Sequence, residues 1–185
     1  MKRIRLTVQG LINSRIQGNT FALVLGDESH KKRITIIIGQ PEAESIVLFL
    51  QNTPPPRPIT HELMLNILNG FGIELIEINI HAFENGVYHS ELLLFGNGKS
   101  LVIDSRTSDA VALAVRKSCP IFINEELFDR FAFVVDEEQA RREEQNITTR
   151  FTVEELESQL KKAVGQEHYE DAARLRDEIA RRKKQ

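Results

Sequence analysis

The sequence predicts an α+β fold, in which a mixed or antiparallel sheet packs against helices and an α-helical hairpin follows at the carboxyl end. Within residues 1–135, alternating segments and helical segments follow the order strand-strand-strand-helix, and this order occurs twice. Residues 136–151 carry many charges and few apolar residues, which is typical of a linker. Apolar residues return at helical spacing in residues 152–185. We therefore expect duplicated βββα units in a first domain, then a charged linker and a hairpin.

The strands are predicted from their two-residue periodicity. Ile4, Leu6 and Val8 alternate with polar residues, as in a strand that buries one face. Further strands are predicted at residues 21–25, 34–38, 76–80, 92–95 and 101–103, and the segment 34–38 is apolar enough to be buried on both faces. Asn85 and Asn97 each precede a glycine, which is a strong signal for a two-residue hairpin turn. The second unit is therefore expected to contain two tight hairpins.

The helices are predicted from apolar spacing and from the residues that begin and end them. Helical spacing starts at Pro41, and a second helix is expected from Thr60, a favourable N-cap residue. A third helix is expected over residues 107–117, ended by Pro120. The second helix is expected to bury one apolar stripe: Leu63, Met64, Ile67, Leu68 and Phe71. Residues 120–135 predict a short strand, a helical turn and an edge strand.

Composition narrows the class of protein. Hydrophobic residues make up 41% and charged residues 28% of the 185, which is ordinary for a globular chain. Cys119 is the single cysteine, so no internal disulfide is expected and a reducing compartment suits the chain. The sequence contains no signal-peptide core and no run of 18 apolar residues, which predicts a cytoplasmic protein outside the membrane. The net charge of −3 is unlike the basic excess typical of non-specific nucleic-acid binders.

The C-terminal hairpin is expected to need a partner surface. Thr152 and Glu155 have the spacing of a capping box, and Gly165 separates the two helices. The predicted partner-binding residues are Leu156, Leu160, Tyr169, Ala172, Ala173, Leu175 and Ile179. Segments of this size rarely bury enough apolar surface to fold alone. The spacing resembles the UVR motif of the UvrB and UvrC excision-repair proteins, and that resemblance implies a protein-docking hairpin.

The residues best placed for chemistry lie where a strand leads into the helix over residues 107–117. Asp104, Arg106 and Asp109 surround the expected helix start, where free backbone N–H groups favour anions. Ordinary helix capping is the alternative explanation of the same residues, and the sequence alone favours it. His61, beside Glu62, lies at another helix start and is a candidate proton carrier with the same alternative.

Three segments carry a second resemblance. They are residues 39–46 (GQPEAESI), 56–63 (PRPITHEL) and 104–116 (DSRTSDAVALAVR). Together they resemble the signatures of the bifunctional nuclease (BFN, or DUF151) family, in which a UVR hairpin often follows. The sequence departs from the usual pattern at Glu62, where aspartate is common, and at Thr107, where proline is common. The resemblance implies degradation of both RNA and DNA.

We therefore predict a nuclease that docks to other proteins through its hairpin. A divalent metal, Mg²⁺ or Mn²⁺, is expected to activate water. Its predicted ligands are Glu42, Glu44, Asp104 and Asp109. Arg106 and Arg116 are expected to neutralise phosphate charge, and His61 to move a proton.

Two rival hypotheses remain. The first is a non-catalytic adaptor that forms homo-oligomers and recruits a partner protein through the hairpin; the acidic net charge favours it. The second is a sensor that binds a small ligand at the helix start. Nucleic acid, a protein partner and a second copy of the chain are thus the predicted partners.

Overall fold

A computed structural model describes residues 2–13, 20–29, 31–53 and 55–134, together with residue 176. The strands are β1 (Arg3–Asn13), β2 (Thr20–Asp27), β3 (Lys32–Gly39), β4 (Glu74–Glu84), β5 (Val87–Gly96), β6 (Lys99–Arg106), β7 (Ile121–Asn124) and β8 (Phe133–Val134). The helices are α1 (Gln40–Leu50), α2 (Thr60–Gly70), α3 (Thr107–Lys117) and α4 (Glu125–Phe131). The chain divides into two compact units, residues 1–147 and 148–185. The predicted hairpin lies outside the described residues, apart from Arg176.

The sheet is mixed, which confirms the predicted α+β class. Its strand order is β6-β5-β4-β7-β1-β2-β3-β8. Strands β1 to β3 pair antiparallel, as do β4 to β6, and β7 joins the two sets by pairing antiparallel with β1 and parallel with β4. Three strands followed by a helix therefore occur twice along the chain, with α2 inserted after the first set. A common origin of these two units stays a prediction.

One face of the sheet supports the apolar core. Ile78 and Ile80 are completely buried, whereas their neighbour Glu77 pairs with Arg3 on the opposite face. This alternation follows from the two-residue period of a strand. Helices α1 and α3 pack against each other and on the strands, and the buried apolar residues of α3 belong to the same core as the sheet.

Helix α2 packs differently from the prediction. Ile59, not Thr60, is its N-cap residue. Most of the stripe predicted to be buried is exposed: Leu63 by 53%, Met64 by 39%, Ile67 by 50% and Phe71 by 74%. The prediction was wrong because His61 and Glu62 bind partners on neighbouring helices and turn that side of α2 inward. Buried polar side chains need such partners, so they override the apolar spacing.

None of the helices in the described part of the chain is long and apolar enough to cross a bilayer.

Candidate functional site

Two helix starts meet at one guanidinium. Strand β3 leads into α1 and strand β6 leads into α3, so Glu42 and Asp109 each lie in the first turn of a helix. Arg106 is the N-cap residue of α3, and its Nη1 donates to Glu42 Oε1 at 2.9 Å. Its Nε and Nη2 donate to the two oxygens of Asp109 at 2.7 and 3.1 Å. Arg106 thereby joins the first turns of α1 and α3.

The opposite charges in this cluster stabilise the ionised forms of Arg106 and Asp109. The Arg106 side chain is 67% exposed, yet all three of its donor nitrogens have carboxylate partners. The hydrogen bond to Asp109, followed by the attraction of its charge, raises the pKa of Arg106. Burial is the largest single influence on Asp109 and opposes its ionisation. Hydrogen bonds from Arg106 and His61 outweigh burial, so the pKa of Asp109 lies below its ordinary value.

A hydrogen-bonded chain runs from Asp109 into the protein. His61 Nε2 lies 3.2 Å from Asp109 Oδ1, and His61 Nδ1 lies 2.8 Å from the Ser45 hydroxyl. That hydroxyl also accepts from Arg116 Nη2 at 3.0 Å, since an arginine can only donate. When the hydroxyl donates to Nδ1, the His61 proton is on Nε2 and faces Asp109. His61 is buried, and among these hydrogen-bonded residues only Asp109 connects it to the surface.

The buried side chain of Arg116 links helices α1, α2 and α3. Its side chain is only 3% exposed. Nη1 donates to the Ala112 carbonyl at 2.9 Å, Nη2 to the Ser45 carbonyl at 2.9 Å, and Nε to Glu62 at 2.6 Å. Burial is the largest influence on Glu62 and opposes its ionisation, but the bonds from Arg116 and the backbone outweigh it and lower the pKa of that carboxyl. The donors of Arg116 are thus buried and bound to protein, and its predicted contact with phosphate stays a prediction.

Two predicted site residues lie apart from the cluster. Strand β6 continues to Arg106, so Asp104 pairs with Glu91, which accepts from Asn79. By strand alternation this is the face opposite to buried Leu92. Glu44 is exposed on α1 and accepts from Gln40 of the same helix at 2.6 Å. No contact described in the structure links Asp104 or Glu44 to Arg106.

The predicted metal ligands do not assemble as a set of four. Within residues 2–13, 20–29, 31–53 and 55–134, no group of three or more His, Cys, Asp or Glu side chains is arranged to hold a metal ion. Glu42 and Asp109 are close together, but Arg106 lies between them. Mg²⁺ is commonly bound by one or two protein carboxylates together with substrate phosphates and water. Both oxygens of Asp109 accept from Arg106, so Glu42 is the carboxylate of this pair that fits the pattern, and metal dependence stays a prediction.

A cavity of about 500 Å³ opens beside the cluster. Its lining includes Glu42, Arg106, Thr107 and Ser108, and also residues of β3 and of the β4–β5 turn. Three aromatic rings meet next to it: the centroids of Phe83 and Tyr88 are 4.7 Å apart, those of Phe83 and Phe131 4.4 Å, and those of Tyr88 and Phe131 5.9 Å. All three line the cavity.

Sequence inspection gives no sign of an aromatic platform, because Phe83 and Tyr88 are far from Phe131 along the chain. The available signal was the Asn-Gly turn at 85–86, which places residues 83 and 88 opposite each other across a hairpin. The approach of Phe131 depends on where α4 packs, which no local pattern specifies.

Comparison with known proteins connects this geometry to a family. Residues 23–136 match the bifunctional nuclease domain, and residues 152–185 match the UvrB/uvrC motif. The chain belongs to the bifunctional nuclease family. The cluster of Glu42, His61, Arg106 and Asp109 lies wholly within the matched domain of this family member. Both predicted resemblances are thus confirmed.

Two relatives in Mycobacterium tuberculosis share most of the domain. They are the uncharacterized protein MT1877 of strain CDC 1551 / Oshkosh and the uncharacterized protein Rv1829 of strain ATCC 25618 / H37Rv. Each is 30% identical to this bifunctional nuclease family member over 139 residues, which is 75% of this chain and 80% of the relative.

Proposed function

We propose that this protein hydrolyses phosphodiester bonds of RNA or DNA at the cluster of Glu42, Arg106 and Asp109. The observation that carries this proposal is the exposed Arg106 guanidinium, which two carboxylates hold at the wall of a cavity in a bifunctional nuclease domain. A guanidinium fixed in this way is suited to stabilise charge that develops on phosphate oxygens, because it needs little rearrangement during the reaction.

Each member of the cluster has a role that follows from its contacts. Arg106 contacts the phosphate, while Asp109 positions Arg106 and is itself positioned by His61. Glu42 lines the cavity and is the carboxylate that accepts a proton from attacking water. The water oxygen forms the new bond to phosphorus and the bond to the leaving oxygen breaks. The leaving oxygen takes up a proton from solvent, and Glu42 returns the proton that it accepted to solvent. Arg116 and Ser45 are positioning residues, since they act through His61.

The charge of the site favours a cation that accompanies the substrate. Glu42, Glu62 and Asp109 face the two guanidiniums of Arg106 and Arg116, which leaves one negative charge in excess. An anionic phosphate therefore meets net repulsion unless positive charge is added. Glu42, together with the substrate phosphate, would hold a divalent ion that adds this charge, because both oxygens of Asp109 accept from Arg106.

A nuclease assay on purified protein tests the proposal. Labelled RNA and single-stranded DNA are incubated with Mg²⁺, with Mn²⁺ and with a chelator, and cleavage is followed on denaturing gels. We expect cleavage by the wild type and a loss of about 10²–10³-fold in Asp109→Asn, as is typical when a preorganised charge contact is removed. Asp129→Asn is the matched control, since Asp129 pairs with Lys32 on an exposed helix surface. Equal cleavage by all three proteins would remove this site assignment.

We also propose that residues 152–185, which match the UvrB/uvrC motif, dock to a protein partner. The supporting pattern is the apolar stripe around Leu160, Tyr169 and Leu175. A pull-down with the full chain, with a chain ended at residue 147, and with Leu160→Asp tests this. Retention of the same partner by all three would contradict docking through the hairpin.

The adaptor hypothesis is supported by the exposed face of α2. Leu63, Ile67 and Phe71 are exposed there, and the two charged or titratable residues of α2, Glu62 and His61, face inward. Two copies of this uncharged apolar face can therefore approach without charge repulsion, which favours a homo-oligomer. Light scattering coupled to size exclusion should show an oligomer for the wild type and a smaller species for Ile67→Glu. An oligomer with no nuclease activity under any metal condition favours the adaptor.

A further inference from the structure

The cavity beside Arg106 has two parts that differ in chemistry, one polar and one aromatic. One part is formed by the Arg106 guanidinium and the polar start of α3. Another part is aromatic, with Phe83, Tyr88 and Phe131 in mutual contact and Phe133 also in the lining. A phosphate needs only the first part. The aromatic part is therefore unexplained by hydrolysis of a phosphodiester alone.

The aromatic part is also open. Phe133 is 46% exposed, and the cavity residues Ile37 and Val87 are exposed as well. Contiguous exposed apolar surface that lines a concave site usually marks a place where a ligand binds. The volume of about 500 Å³ lies within the range of small-molecule sites and accommodates one nucleotide.

The chemistry of a nucleotide matches both parts. Its phosphate is recognised by arginine, and its base presents a flat π-face that stacks on aromatic side chains. A base within a duplex is already stacked and paired, so it cannot enter such a cavity, whereas an unpaired base can. We propose that this cavity binds one unpaired nucleotide of a single-stranded nucleic acid, with the phosphate at Arg106 and the base against the aromatic residues.

This assignment rests on the proposed nuclease function and defines its substrate class. The base contact is sequence-tolerant because every base has a π-face. The protein therefore distinguishes single strands from duplexes more strongly than one sequence from another. Phe133 serves as a binding residue rather than a catalytic residue.

The test measures binding of full-length protein to three fluorescein-labelled probes in Mg²⁺ buffer by anisotropy. The probes are a twenty-nucleotide single strand of mixed sequence, the same strand in a duplex, and a strand of equal length that lacks bases. Denaturing gels after each titration show whether the probe was cut. We expect the single strand to bind about tenfold or more tightly than the duplex or the abasic strand.

Phe133→Ala should weaken binding of the single strand by at least about fivefold and leave the abasic strand unchanged. Phe95→Ala is the matched control, because Phe95 is 45% exposed and does not line this cavity. Arg106→Gln should weaken all probes. Circular dichroism and urea unfolding confirm that the variants are folded.

Two results would overturn the assignment: equal affinity for the abasic and base-bearing strands, or equal effects of Phe133→Ala and Phe95→Ala. Cleavage without base-dependent binding leaves the nuclease proposal standing and removes the nucleotide cavity. Base-dependent binding of uncut probes supports the cavity and contradicts hydrolysis.

Discussion

Glu42 and Asp109 bind the same guanidinium, that of Arg106, although they belong to different helices. Each is an acidic residue in the first turn of a helix that follows a three-strand unit. Carboxylates are favoured at this position because they face the positive end of the helix dipole. Arg106 therefore links the first turns of α1 and α3 in one site.

The absence of a Cβ atom at Gly39 leaves room for the Glu42 carboxylate. A Cβ atom at Gly39 would lie 2.5 Å from Glu42 Oε2, so Gly39→Ala should displace this carboxylate from its place beside Arg106. We expect nuclease activity to fall about tenfold or more with little change in the free energy of unfolding. Gly70→Ala is the matched control, since a Cβ there meets nothing within 4 Å. A similar loss of activity in both variants would contradict a specific role for Gly39.

Arg116 should be the residue on which stability depends most among the site residues. Arg116→Met leaves Glu62 and Ser45 without their buried donor, which should lower the free energy of unfolding by about 3 kcal/mol or more. Arg5→Met is the control and should change it by less than about 1 kcal/mol, because Arg5 pairs with Glu28 at the exposed surface. Urea unfolding measures both. A small effect for Arg116→Met would show that the helices do not depend on this bond network.

Acid should weaken the fold through Asp109. Because the pKa of Asp109 is lower in the folded protein, its contribution is complete above the unfolded pKa and is lost as pH falls through the folded pKa. Urea unfolding between about pH 5 and pH 2 should therefore depend less on pH in Asp109→Asn than in the wild type. Identical pH dependence would contradict the Arg106 and His61 contacts.

Cys119 should behave as a packed apolar residue. Burial raises its pKa to about 11, so little thiolate exists near pH 8. Reaction with a disulfide reagent at pH 8 should be about a hundredfold slower in native protein than in urea. Equal rates would show that the thiol is accessible and ionised.

Local sequence patterns predicted the positions of the helices and strands better than they predicted which face of each one is buried. Helix α3 occupies the expected residues 107–117, because its apolar spacing and Pro120 both act within one short segment. Strand β6 was expected to end at residue 103 but continues to Arg106, and this extension places Asp104 opposite Glu91. Because Asp104 lies within the longer strand, the alternation of side chains fixes the face of the sheet that it occupies. The sequence near residue 104 is compatible with a strand that ends at residue 103 and with one that ends at residue 106.

The composition of the site was only partly predictable. Arg106 and Asp109 lie close together in sequence, so their pairing follows from the start of one helix. The contact of Asp109 with His61 joins two helices, and the buried position of Arg116 depends on three. These contacts depend on how the helices pack. The apolar spacing of α2 predicted the wrong buried face for that helix, so it did not predict these contacts.

We propose that Arg106 and Asp109 act as one unit in the cluster with Glu42, and a double-variant cycle of cleavage rates tests this most directly. Groups that act together show strongly non-additive effects. Arg106→Gln and Asp109→Asn should each slow cleavage of single-stranded RNA by about 10²–10³-fold, and the double variant should be little slower than either. Strictly additive losses, or a wild-type rate in Arg106→Gln, would contradict the claim.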